Sequence, residues 1–203
     1  MRLFYYIFFL SLTPLIIFSQ KKNYYFDINS NRITQNEYKK INDNPVEYLK
    51  VKVVSDTAKI YTIEKRELMG SLNNDSYDEL FLYLNSISEK KVDSSKTIII
   101  NYYPGFDKCN QTSGKDYVNN LQIFFLNQIN SNGKVEYYFI CKSFEGIEFY
   151  DQSIKRLMDK DRYIELTFFP NHYPCGSYLI VYPDKKYYIY KGEYYILDIL
   201  HKI

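Results

Sequence analysis

The stretch from Ser95 to Gln111, SKTIIINYYPGFDKCNQ, constrains the fold of this chain more than any other. A dense apolar run from Thr97 to Tyr102 is followed by a turn and then by a cysteine, Cys109. An apolar run of this kind is typical of a strand that is buried on both faces of a sheet with parallel members. The sequence therefore predicts a central strand whose following turn presents Cys109.

The first 19 residues have the order of a secretory signal peptide. Arg2 precedes an apolar run from Leu3 to Phe18, and the small residue Ser19 follows it. This run is shorter than the roughly 20 residues that span a bilayer, and no second apolar span follows it. We expect cleavage after Ser19, export to the periplasm or the medium, and no membrane attachment after cleavage.

Charge and motifs exclude several classes of function. The formal charge is +2, and the Lys and Arg residues are scattered, which does not favour nucleic acid or anionic membrane as a partner. The chain has no Gly-rich phosphate loop, paired-His motif or Gly-x-Ser-x-Gly elbow. Its two histidines are His172 and the near-terminal His201, which argues against a hydrolase. No cofactor is predicted.

Residues 20–72 are predicted to form a β-rich N-terminal extension. A strand near Tyr24 ends in a turn at Asp27 to Asn31, and two further strands at 46–54 and 59–63 form an antiparallel pair around a Ser-Asp-Thr turn. No residue set in this part indicates a site.

Residues 73–203 alternate helical and strand patterns. Ser76 and Glu79 fit a capping box at the start of the first helix. The predicted elements are, in order, a helix at 73–90, a strand at 97–102, a helix at 115–130, a strand at 135–141, a short helix at 151–158, a strand at 163–168, hairpin strands at 177–182 and 187–190, and a half-formed helix at 195–200.

This order resembles the thioredoxin-like superfamily, and in particular its exported, periplasmic branch. The matching pieces are the strand TIIINYY before a cysteine-bearing turn and helix, the strand KVEYYFI, and the run YPCGSYLIVYPDKKYYIYKGEY. The resemblance implies an α/β fold, a thioredoxin-like three-layer sandwich over 73–203 preceded by the β-rich extension. It also implies that Pro174 is cis and faces the turn that carries Cys109.

The chain departs from that family at its redox motif. Thioredoxin-type enzymes place Cys-x-x-Cys at a helix N-terminus, where one thiolate attacks and the second thiol resolves the mixed disulfide. Here Phe106 and Thr112 stand three residues before and three residues after Cys109. The dithiol mechanism within one turn is therefore absent, and the resemblance is to a degenerate member.

The remaining cysteines offer a different pair. Three cysteines in an exported chain suggest one bridge and one thiol, and Cys141, which ends a buried strand, is expected to be inert. If the family geometry holds, Cys109 and Cys175 face each other. They would form either a structural disulfide, worth about 4 kcal/mol by loop entropy, or a reversible redox pair in which Cys109 is the nucleophile and Pro174 shapes the groove.

Function therefore stays open between classes at this point. One hypothesis is an atypical thiol-disulfide module that acts on another envelope protein. The alternative is a protein-binding module that kept the fold and uses a Cys109–Cys175 disulfide as a staple. A third is a metal carrier in which His172 joins Cys109 and Cys175 in a site for copper. The sequence indicates no oligomeric state.

Overall fold

The computed structural model describes residues 21–41, 44–107 and 115–203, so the predicted signal peptide lies outside the described residues. The strands are β1 (Lys22–Phe26), β2 (Arg32–Ile33), β3 (Tyr48–Val54), β4 (Ala58–Lys65), β5 (Glu67–Ser71), β6 (Thr97–Tyr103), β7 (Val135–Cys141), β8 (Arg156–Met158), β9 (Ser177–Val181) and β10 (Lys186–Lys191). The α-helices are α1 (Gln35–Lys40), α2 (Asn74–Ile87), α3 (Lys115–Ser131) and α4 (Tyr163–Phe168), and 3₁₀ segments cover Ile147–Phe149, Lys160–Arg162 and Ile196–Lys202. No helix within these ranges is long and apolar enough to cross a membrane.

The larger sheet has the strand order β5-β10-β9-β6-β7-β8. Strands β6, β7 and β8 run parallel, while β9 is antiparallel to β6, β10 to β9, and β5 to β10. Helix α3 connects β6 to β7, and the hairpin of β9 and β10 then returns to the other side of β6. This is the α/β arrangement that the sequence predicts, with parallel strands joined through helices and an antiparallel hairpin beside them.

Strand β6 lies at the centre and is buried on both faces, as predicted. Ile98 and Ile100 pack into one core with α2 and α4, and Ile99 packs into a second core with α3 and the C-terminal segment. All three side chains are fully buried. The alternation of side chains along a strand thus gives both helical layers a contact with the same strand.

The smaller sheet has the order β2-β1-β4-β3. The predicted antiparallel pair is confirmed as β3 and β4, and the predicted turn after β1 leads into β2. In that turn the Asp27 carboxylate accepts hydrogen bonds from the Asn29 and Asn31 amides. Strand β5, although it lies within residues 20–72, pairs with β10 in the larger sheet.

A single carboxylate, that of Glu64 in β4, joins the smaller sheet to the loop before β9 and to β10. It accepts hydrogen bonds from the Asn171 amide at 2.7 Å, the Tyr173 hydroxyl at 2.8 Å and the Lys191 ammonium at 2.7 Å. Tyr173 is buried and Lys191 nearly so. Because three donors converge on it, Glu64 is the polar junction of the two sheets.

We expect Glu64→Ala to lower the free energy of unfolding by about 2 to 4 kcal/mol, because it leaves three polar groups without their shared partner. Urea unfolding followed by circular dichroism measures the loss. Glu89→Ala, which removes an exposed partner of Lys155, is the control and should change the unfolding free energy little. An equal loss of unfolding free energy in both variants would contradict the role of Glu64 as the junction of the two sheets.

The predicted capping box of α2 is wrong. Asn73 is the N-cap, and its side-chain oxygen accepts a hydrogen bond from the Ser76 amide at 2.8 Å. Ser76 is therefore already inside the helix and is one of the capped residues. The helix also ends at Ile87, before the predicted boundary at 90.

The elements predicted at 151–158 and 163–168 are both wrong in type. The first segment ends in strand β8, which pairs in parallel with β7, and the second is helix α4. The reason is a cap that sequence periodicity does not reveal. The buried carboxylate of Asp159 accepts hydrogen bonds from the amides of Ile164 and Glu165, which starts a helix where β-branched and aromatic residues suggest a strand.

Glu165 in α4 carries a buried negative charge. Its carboxylate lies 2.8 Å from the Arg162 Nε atom and 2.8 Å from the Lys142 ammonium. The Arg162 side chain, and after it Lys142, lower the pKa of Glu165 against the opposing effect of burial. The ionised carboxylate thus stabilises the folded chain.

A carboxylate whose pKa is lowered on folding adds stability above its unfolded pKa, about 4.3, and that stability is lost as the pH falls through the folded value. We therefore expect the free energy of unfolding to fall below about pH 5, and Glu165→Gln to make this fall shallower. Urea unfolding at stepped pH measures it. A Glu145→Gln variant, which removes an exposed carboxylate that forms no ion pair in the described structure, should keep the full dependence.

Candidate functional site

Two of the predicted site residues, Pro174 and Cys175, lie at one edge of the larger sheet. The carboxyl ends of β6 and β7 meet there, and the antiparallel strand β9 starts beside the end of β6, with Ser177 opposite Tyr102. In open α/β sheets this is the edge where ligands bind. The structure therefore brings the loop from His172 to Gly176 next to the turn after β6.

Cys175 is disulfide-bonded and sits in a tight turn before β9. It has a positive φ of 68°, and Gly176 follows with a φ of 148°. A Cβ at Gly176 would lie 3.2 Å from the Tyr102 carbonyl oxygen, so the absence of a side chain allows this close approach. The turn thus fixes the partly buried Cys175 beside the end of β6.

Asp107 connects the two loops of the site. Its Oδ2 atom accepts a hydrogen bond from the Cys175 amide at 3.0 Å and lies 3.4 Å from Nε2 of His172. The Asp107 side chain is 12% exposed and that of His172 is 50% exposed. The carboxylate therefore holds the Cys175 backbone from within, while the imidazole covers it from the solvent side.

The expectation of a cis Pro174 is wrong. No peptide bond between described residues is cis, and the bond before Pro174 is among them. The chain reverses instead through the two positive φ angles of Cys175 and Gly176, so the turn is made one residue later. Pro174 itself is exposed at this edge, between the buried Tyr173 and Cys175.

Cys109 belongs to the segment 108–114, which lies outside the described residues. Its place opposite Cys175 thus stays a prediction. The hypothesis of a metal site at His172 and Cys109 is likewise untested, because Cys109 lies outside the described residues. Within the described ranges, no group of three or more His, Cys, Asp or Glu side chains is arranged to hold a metal ion.

Cys141, at the end of β7, is a free and buried thiol. Burial raises its pKa to about 12, and the nearby Arg156 only partly opposes this shift. A thiol rather than a thiolate is present at neutral pH, and the thiolate is the reactive form.

We expect Cys141 to resist iodoacetamide in the native protein at pH 8 and to react once the chain is unfolded in urea. Mass spectrometry of the two samples counts the modified cysteines. Rapid native alkylation at Cys141, mapped to its peptide, would contradict the buried and protonated state. The Cys141→Ser variant serves as the control for background labelling.

A cavity of about 350 Å³ lies under the same edge, between α3 and the sheet. Sequence reasoning missed it, because its lining comes from segments far apart in the chain and because Arg156 was placed in a predicted helix. Its walls are Asn101, Tyr103, Tyr117, Val118, Leu121, Gln122, Phe139, Cys141, Ile147, Tyr150, Arg156, Cys175, Glu193, Tyr194, Tyr195 and Ile196. The disulfide residue Cys175 and the free thiol Cys141 thus border one cavity.

Comparison with known proteins identifies no family for this chain. No protein-family model matches the chain, and no curated protein matches it. The chain is similar to a solved structure described as MTB DsbF in its mixed oxidized and reduced forms, with 13% sequence identity and a TM-score of 0.38. The similarity covers 53% of this chain and 78% of that one. A similarity at this level does not identify a shared activity.

Proposed function

We propose that this chain is an exported, thioredoxin-like thiol-disulfide module of the cell envelope, atypical in lacking Cys-x-x-Cys. The observation that carries the proposal is the disulfide at Cys175, in the turn before β9 and next to the end of β6. In this proposal Cys109, in the turn that follows β6, is its partner. Another envelope protein with exposed thiols would be the substrate.

The cysteine inventory supports the pairing. The sequence contains three cysteines, Cys141 is free and Cys175 is bonded, which supports Cys109 as the proposed partner within the chain. The signal-like residues 1–19 agree with an oxidising compartment, where such a bridge persists.

The chemistry is thiol-disulfide exchange. A thiolate of the partner protein attacks one sulfur of the bridge, the other sulfur leaves as a thiolate and takes up a proton, and a second partner thiol then releases the reduced module. The partner dithiol loses two electrons and the bridge gains them. The carboxylate of Asp107 beside the Cys175 amide would repel a thiolate at Cys175, which favours Cys109 as the nucleophile when the reduced form attacks a disulfide.

A second candidate is a protein-binding module in which the same bridge is a structural staple. The anchoring of the Cys175 backbone by Asp107 and its tight turn favour this alternative, because a bridge between firmly held segments is resistant to reduction. Reduction potential separates the two candidates.

The test is made on the mature protein, purified without reductant. We expect one free thiol, at Cys141, and a Cys109–Cys175 bridge in peptide maps. A glutathione titration then gives the reduction potential of the bridge. A potential of about −200 mV supports the redox module, and one below about −300 mV supports the structural staple. The Cys141→Ser variant should keep the bridge and its potential. Three free thiols in the native protein would overturn both candidates and direct attention to metal binding at His172.

A further inference from the structure

The cavity under the site edge has the properties of a small-molecule pocket. Its volume of about 350 Å³ lies within the range of such pockets, roughly 300 to 1,000 Å³. Aromatic and aliphatic side chains form most of the wall, and its polar residues are Asn101, Gln122, Arg156 and Glu193. Tyr117 and Tyr195 are exposed, which places them at the mouth.

Arg156 holds a fixed position in this wall. Its Nη1 atom donates hydrogen bonds to the carbonyl oxygens of Asp151 and Ile154 at 2.8 and 3.1 Å, and Nη2 donates to Oε1 of Gln122 at 3.2 Å. The guanidinium also lies 5.5 Å from the ring centre of Phe139 and 5.3 Å from that of Tyr150. These five neutral groups orient the cation without neutralising it.

The positive charge of Arg156 has no ion-pair partner in the part of the chain that the structure describes. Its hydrogen bonds use three of the five N–H donors of a guanidinium. The Asp151 carboxylate accepts a hydrogen bond from the Ser153 amide and interacts electrostatically with Arg156 without forming a direct ion pair with it. Glu193 is exposed. Partial burial lowers the pKa of Arg156. A partly desolvated cation without a directly paired counter-charge is costly, and a bound anion would offset that cost.

We propose that this cavity binds a small organic acid, a monocarboxylate with an apolar or aromatic body. The carboxylate would accept hydrogen bonds from the free donors of Arg156, a geometry to which guanidinium is well suited. The body would pack against Leu121, Phe139 and Ile196, which line the same space. A single arginine among aromatic walls fits one negative charge on an apolar molecule better than a multiply charged phosphate.

This proposal does not rest on the proposed thiol-disulfide function. Arg156 contacts α3 and the loop before β8, and its hydrogen bonds do not involve Cys175. The binding experiment leaves Cys175, which borders the cavity, unchanged. Failure of the binding proposal and failure of the disulfide proposal are therefore measured separately.

The test uses two acid and amide pairs, 4-phenylbutyrate with 4-phenylbutanamide and decanoate with decanamide, titrated calorimetrically into the mature protein. We expect each acid to bind at least 10-fold more tightly than its amide. Arg156→Gln should remove this preference, while Arg156→Lys should keep part of it. Arg32→Gln, which changes an exposed arginine in β2, is the matched control and should leave the preference intact.

The comparison of acid and amide in the unmodified protein needs no variant. It therefore tests the proposal even if the Arg156→Gln variant does not fold. Equal binding of acid and amide in both pairs, or no binding of either acid, would overturn the proposal. The same follows if a folded Arg156→Gln variant keeps the preference for the acids.

Discussion

The burial of β6 on both faces is the constraint on which the rest of the structure depends. Side chains that alternate between two hydrophobic cores require a helical layer on each side, which α2 and α4 supply on one face and α3 on the other. The parallel pairing with β7 and the antiparallel pairing with β9 then bring the end of β6, the end of β7 and the start of β9 to one edge. The disulfide residue Cys175 lies at that edge because of this topology.

Buried and partly buried carboxylates hold the elements around this core. Glu64 gathers three donors from segments far away in sequence, and Asp159 caps α4 while it accepts a hydrogen bond from the Tyr83 hydroxyl at 2.6 Å. Asp107 accepts a hydrogen bond from the Cys175 amide and so holds the turn before β9. Each of these groups joins two or more elements, because a desolvated carboxylate is stable only when several donors converge on it.

The disulfide at Cys175 and the cavity at Arg156 require different surroundings. Disulfide exchange at Cys175 needs a sulfur that another thiolate can reach, and it depends on the turn held by Asp107. Binding of an organic acid in the cavity requires an apolar wall, to which α3 contributes, and a positive charge in a fixed position, which Arg156 provides. Cys141 borders the cavity as a protonated thiol, because burial raises its pKa. It has no role in the proposed disulfide exchange or in the proposed binding of the acid.

The sequence by itself determined the elements whose signal is local and strong. It predicted the apolar run of β6, the helical period of α3, the β3 and β4 pair and the hairpin of β9 and β10. It also predicted the α/β class and singled out Cys175 as a candidate site residue. Tertiary structure decided what depends on distant partners. Asp159 turned a strand-like segment into α4, positive φ angles at Cys175 and Gly176 replaced the expected cis Pro174, and residues from α3, β7 and β8 enclosed the cavity around Arg156. These outcomes rest on hydrogen bonds and packing between segments far apart in the chain, which local periodicity does not encode.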